Sequence, residues 1–116
     1  MQHVFVFGSN LAGRHGAGAA AYARQHYGAV MGHGIGRTGN AWALPTKDER
    51  LNTLPLDTVE LYWKVFRAEA LTTPDTQYLL TPFGTGLAGL SMASIRHMVQ
   101  LPTLPRNIWL TADWFR

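Results

Sequence analysis

Three stretches of this sequence mix glycine with small polar residues: Gly8-Ser9-Asn10 leading into residues 11–18, residues 32–40, and residues 82–89. Glycine lets backbone N–H groups come close to a ligand, and the unpaired N–H groups that open a helix attract anions. The first and third stretches each follow a strand-like run and precede a helix-like one. In open α/β sheets that is where ligands bind. A diphosphate lying between two such loops would be held largely by backbone, with little need for basic side chains.

Lys47 is one of two lysines, the other, Lys64, falling in a helix-like stretch. To attack carbon near neutral pH an amine must lose its proton, which calls for burial or cationic neighbours. Arg14, His15 and Arg37 are the candidates. His15, inside the first glycine loop, has the ring chemistry to bond a sugar hydroxyl or to act as acid or base. An exposed loop histidine would have the same sequence surroundings. Asp48-Glu49 is either a source of a general base or a solvated acidic pair.

Other chemistries fit poorly. No Gly-x-Gly-x-x-Gly runs straight into a helix with an acid about 20 residues further on, and no Gly-Lys-Ser/Thr P-loop occurs. Ser9 lacks an acid–histidine pair for a nucleophilic triad. There is no cysteine, and His3, His33 and His97 lack ligand spacing, with the nearest carboxylates, Asp48 and Glu49, far along the chain, so no metal is expected, nor is a cofactor.

The elements that must position these residues alternate. Residues 3–7 read as a strand ending at Gly8-Ser9-Asn10, and the alanine-rich residues 19–27 as a helix stopped by Gly28. Residues 32–40 read as a loop, and Ala41-Trp42-Ala43-Leu44 as a short buried strand stopped by Pro45. Asp57-Thr58-Val59-Glu60 resembles a capped helix start, followed by a stripe of Val59, Tyr62, Phe66 and Ala70 beside Trp63. Tyr78-Leu79-Leu80-Thr81 is the next strand. Ser91 can cap a last helix carrying Met92, Ile95 and Val99, and residues 107–111 close the chain as a strand. Phe83 is placed either to stack on a base or ribose or to fill core. Trp42, Trp63 and Trp109 suit packing, while Trp114 and Phe115 would cover a sheet edge or a partner surface.

These elements fit in 116 residues, one domain's worth, with strands and helices alternating around a sheet. Charged residues make up 15% against roughly 25% in ordinary soluble domains, and apolar ones 47%, which excludes disorder. No apolar run approaches the ~20 residues of a membrane span. Met1-Gln2-His3-Val4-Phe5 enters a strand pattern without a basic leader, so a cytoplasmic location is expected. The net charge of +3 is scattered, without the stripe that drives non-specific nucleic-acid binding.

In chain order, Phe-Gly-Ser-Asn (7–10), Arg-His-Gly-Ala-Gly-Ala (14–19), Leu-Pro-Thr-Lys (44–47) and Gly-Thr-Gly-Leu-Ala-Gly-Leu (84–90) resemble a macro domain. More narrowly, the chain is similar to the branch that holds lysine-dependent ADP-ribosyl hydrolases. The resemblance spans most of residues 3–111 and implies a single macro-like α/β domain over 1–116, a mixed β-sheet flanked by helices. It implies ADP-ribose, or an ADP-ribosylated nucleic acid or protein, in a cleft over the strands' carboxyl ends, with no membrane partner. Gly84, Thr85, Gly86, Leu87, Ala88 and Gly89 would then cradle the diphosphate. Asn10, His15, Gly16, Ala17 and Gly18 would face the distal ribose, and Gly8, Ser9 and Thr46 would complete the ligand-binding set. Lys47 would work at the anomeric carbon of that ribose, hydrolysing an ADP-ribosyl linkage. The alternative is a non-catalytic module that senses or sequesters ADP-ribose.

The chain departs from that pattern twice. Ala88 stands where one group of these hydrolases has an aspartate that cooperates with the lysine, although other members have glycine there. The chain also begins at what looks like the second or third strand of the family. The acid that commonly reads adenine therefore has no counterpart.

Overall fold

Side chains alternate across a strand, so a strand apolar on both faces must lie between two layers. In the computed structural model, which describes residues 2–116, β1 (Gln2–Asn10) is such a strand. Val4 and Val6 join one core cluster, and Phe5 and Phe7 the other. Four further strands flank it: β2 (Gly36–Thr38), β3 (Ala41–Lys47), β4 (Thr76–Leu80) and β5 (Ile108–Leu110). Their order across the sheet is β2-β3-β1-β4-β5. β3 and β4 run parallel to β1, β5 parallel to β4, and only β2 is antiparallel.

The chain leaves β1 through α1 (Gly18–His26) and reaches β3 on one side. It then passes back over β1 through α2 (Leu56–Thr72) to β4, and α3 (Met92–Val99) carries it on to β5. Right-handed crossovers require the helices to change face when the direction of travel reverses. Accordingly Ala20 and Ala23 of α1 pack on Phe5, Phe7, Ala41 and Ala43. On the other face Val59, Trp63, Phe66 and Ala70 of α2, with Ile95, Met98 and Val99 of α3, cover Val4, Val6, Leu44, Tyr78 and Leu80. The reversal leaves a crevice between the carboxyl ends of β1 and β4.

The architecture is the expected mixed sheet flanked by helices, with several local differences. β1 does not end at Phe7: Gly8, Ser9 and Asn10 continue in register beside Leu44, Pro45 and Lys47, with an irregularity between Ser9 and Asn10. β3 likewise runs through Pro45. Its neighbour β2 pairs only as far as Ala43, so no β2 residue opposes Pro45 and the proline costs no bond to that strand; further on, Thr46 O accepts Leu54 N at 2.9 Å and Lys47 bridges to Thr53. Part of the expected 32–40 loop is β2 itself, joined to β3 by Gly39-Asn40. Gly39, at φ 57°, sits at the first of two turn positions as a type II′ hairpin requires.

The start of α2 has no side-chain cap. Pro55 precedes it, and Asp57 lies inside the first turn. Ser91 does cap α3, accepting from Ser94 N at 3.1 Å. Trp114 is fully buried and belongs to the core rather than to an edge cover, whereas Trp109 on β5 is largely exposed.

Candidate functional site

The crevice opens into a cleft of about 680 Å³, within the range of ordinary small-molecule sites. Its walls come from Gly8, Ser9 and Asn10, from Arg14 and residues 16–20, from Thr46, Lys47 and Leu51, from residues 81–87, and from Asp113. The first and third glycine loops therefore face one space, with Lys47 beside them. Gly16, Ala17, Gly18, Thr46, Gly84, Thr85, Gly86 and Leu87 all line it. Ala88 and Gly89 do not. The Ala88 carbonyl instead accepts the Thr53 hydroxyl at 2.7 Å, tying the third loop to the β3–α2 connection.

Several lining residues hold the cleft's shape with their own side chains. Ser9 is buried, and its hydroxyl donates to Gly34 O at 2.6 Å. Asn10 closes the first loop on itself: its Nδ2 donates to Arg14 O and its Oδ1 accepts from Arg14 N, both at 3.0 Å. Thr46 Oγ1 donates to Ser9 O at 3.2 Å, and Thr81 Oγ1 to Val6 O at 2.7 Å. The second glycine stretch is thus a support beneath the first loop, with Gly32 N also donating to Gly13 O at 2.9 Å.

The start of α1 borders the same space through residues 17–20. Ala17, at the cap position, offers no side chain to satisfy the helix's first amides. Orphan N–H groups of this kind carry partial positive charge. Gly84 has φ 78°, a left-handed conformation that turns the third loop back over the end of β1.

Lys47 is half-buried at the end of β3, paired in register with Asn10, and its carbonyl accepts Leu11 N at 3.0 Å. Arg14 lines the same cleft. Arg37 does not: it pairs with Trp42 near the start of β3, roughly 16 Å of strand away, and bonds Gly39 O and Asn40 Oδ1. Asp48 lies outside the cleft, where its Oδ1 accepts the Arg50 and Asn52 amides, both at 2.9 Å, and shapes the turn that presents Leu51. Phe83 is core, stacked on Trp63 at 5.8 Å with only its edge of the loop facing the cleft.

His15 is absent from the cleft wall. Its ring is fully buried, edge-on to Phe7 at 5.2 Å, with Nε2 3.1 Å from His33 O. Nδ1 has no hydrogen-bond partner among the described residues. Burial lowers its pKa from the ordinary histidine value; the His33 and Val30 carbonyls pull weakly the other way, and Arg24 and His33 add slightly to the lowering. A neutral ring facing a carbonyl keeps its proton on Nε2. The expected ribose contact is replaced by a loop anchor, because the space under Phe7 takes the ring when Asn10 folds residues 10–14 inward.

Asp113 escaped sequence reading. It stands in the 3-10 turn Ala112–Phe115 after β5 and is the one acidic side chain on the cleft wall among the described residues. The signal was next door: an apolar pair at the chain's end, Trp114-Phe115, with one member fully buried. No group of three or more His, Asp or Glu residues that would hold a metal occurs among the described residues. No helix of those residues is long and apolar enough to cross a membrane. Comparison with protein-family models, with curated proteins and with solved structures gives no match to this chain.

Proposed function

We propose that this chain binds ADP-ribose or a related NAD-derived nucleotide and hydrolyses an ADP-ribosyl linkage, in a cytoplasmic setting. The observation that carries the reading is the shared cleft: residues 16–18 and 84–87 line it together with Lys47. The uncapped start of α1 supports it, since a diphosphate is the ligand group that such amides favour. The four-motif resemblance to a macro domain supports it independently.

In this reading the two loops hold the diphosphate and fix the distal ribose, so that Lys47 acts at its anomeric carbon. In the covalent form of the chemistry, the amine attacks that carbon and the bond to the leaving group breaks. The leaving group departs with a proton. Water then cleaves the ribosyl–lysine bond, its oxygen remaining on the sugar and its proton restoring the amine. Arg14, on the same wall, adds positive charge beside the phosphates.

One observation favours the non-catalytic alternative. Ala88 occupies the position of a cooperating carboxylate, and its carbonyl is held by Thr53 outside the cleft. Calorimetry with ADP-ribose tests both readings, and absence of binding at millimolar concentration would end both. Where binding is found, turnover of ADP-ribosylated DNA and protein by wild type and Lys47→Ala decides. Activity that vanishes in the variant makes it an enzyme of this kind, while no activity in either leaves a binding module.

A further inference from the structure

The charges on the cleft wall are separated along the sheet. Crossing the carboxyl ends in order, Lys47 ends β3, Gly8-Ser9-Asn10 ends β1, residues 81–87 follow β4, and Asp113 follows β5. Neighbouring strands lie about 4.8 Å apart, so the carboxylate stands roughly one strand beyond the third loop and three beyond Lys47. A ligand whose diphosphate spans β1 and β4, with its distal sugar toward Lys47, must send its other half toward β5. The first group on that side of a nucleoside diphosphate is the nucleoside's own ribose, with its vicinal diol; the base comes one group later.

Asp113 is held there firmly. The adjacent Trp114 is fully buried, its Nε1 donates to Leu80 O at 2.7 Å, and its carbonyl accepts from Arg96 Nη2. Thr111 N also donates to Leu80 O, at 3.1 Å. The carboxylate's own partner is Arg116 at 3.3 Å, with side chains 57% and 77% exposed respectively. Such a pair is screened by water and exchanges easily for a ligand.

We propose that Asp113 is the residue that selects the nucleoside ribose. Its carboxylate accepts hydrogen bonds from the 2′- and 3′-hydroxyls and repels a phosphate on the 2′-oxygen. The cleft therefore takes NAD-derived nucleotides and discriminates against their NADP-derived, 2′-phosphorylated counterparts. Carboxylates read ribose diols in this way where other α/β sheets bind dinucleotides. The inference rests on the diphosphate reading above.

Calorimetry with ADP-ribose and 2′-phospho-ADP-ribose tests it, using the full chain, Asp113→Asn and Arg116→Ala. Wild type should prefer ADP-ribose by about tenfold, a modest ratio because the carboxylate is partly solvated. Asp113→Asn keeps the shape, removes the charge, and should bring the two ligands within about threefold. Arg116→Ala should keep or widen the wild-type preference. A ratio unchanged in Asp113→Asn overturns the assignment while leaving the diphosphate reading standing. A wild-type preference for the 2′-phosphate would make Arg116 the reader and also overturn it. Failure of wild type to bind either nucleotide removes the underlying reading, and this one with it.

Discussion

Gly8, on β1, and Gly84, in the third glycine loop, stand backbone to backbone: a Cβ on Gly8 would lie 3.0 Å from Gly84 N and 3.5 Å from the Phe83 Cα. The floor of the cleft is this contact. A methyl group at position 8 must push the 84–87 loop away from the end of β1, because the atoms opposing it are main chain. Gly8→Ala should therefore cost about 1–3 kcal/mol of stability, measured by urea denaturation. It should also weaken ADP-ribose by at least tenfold. Normal affinity in a variant of lowered stability would show that the two loops need not meet to hold the ligand.

How much of this was legible beforehand depended on distance along the chain. Helix stripes such as Val59, Phe66 and Ala70, and the Ser91 cap, are local patterns, and they are where the periodicity placed them. The two loops and Lys47 were legible because each sits at the end of a strand, and parallel strands bring their carboxyl ends to one side. Pro45 misled because a proline stops a strand only where a neighbour needs its N–H, and β2 had already ended. His15 misled for another reason: residues 16 and 18 positions away, Met31 and His33, complete its burial. The Trp114-Phe115 pair marks the chain's end as anchored, but only the strand order, with β5 beside β4, brings Asp113 to the cleft.

Lys47 ends β3 half-buried on the wall of an open cleft, so the space its side chain vacates adds to that cleft rather than forming a closed cavity. Lys47→Ala should melt within about 0.5 kcal/mol of wild type. On the enzymatic reading, turnover is lost while ADP-ribose affinity changes only a few-fold, the pattern of a group acting in the transition state. Lys47→Arg should not restore turnover, since a guanidinium stays protonated and cannot attack carbon. Wild-type rates in either variant would remove the lysine mechanism.

Trp114 carries the load of the chain's end, being wholly buried between α3 and the end of β4 and bonded to Leu80 O. Trp114→Phe removes ring volume and that hydrogen bond, with an expected loss of about 2 kcal/mol. The Asp113 turn should loosen at the same time, so the preference for unphosphorylated ribose narrows while Lys47-dependent turnover survives. Denaturation and paired calorimetric titrations measure both. An unchanged preference beside a clear stability loss would show that Asp113 holds its place without this anchor.

His15 links stability to pH. Burial holds its folded pKa below the unfolded value of about 6.5. As pH falls through 6.5 the unfolded chain therefore takes up this proton before the folded one. Stability from this group is complete above the unfolded pKa, declines as pH drops through and below it, and levels off once the buried ring is protonated too. His15→Phe lacks that component, although it leaves the His33 carbonyl without its ring partner and is less stable at pH 8. The informative quantity is the slope between pH 7 and 5, where wild type should fall more steeply by up to about 1.4 kcal/mol per pH unit. The other four histidines are common to both proteins and cancel in the difference. Parallel curves would mean that the imidazole protonates as readily inside the fold as outside it.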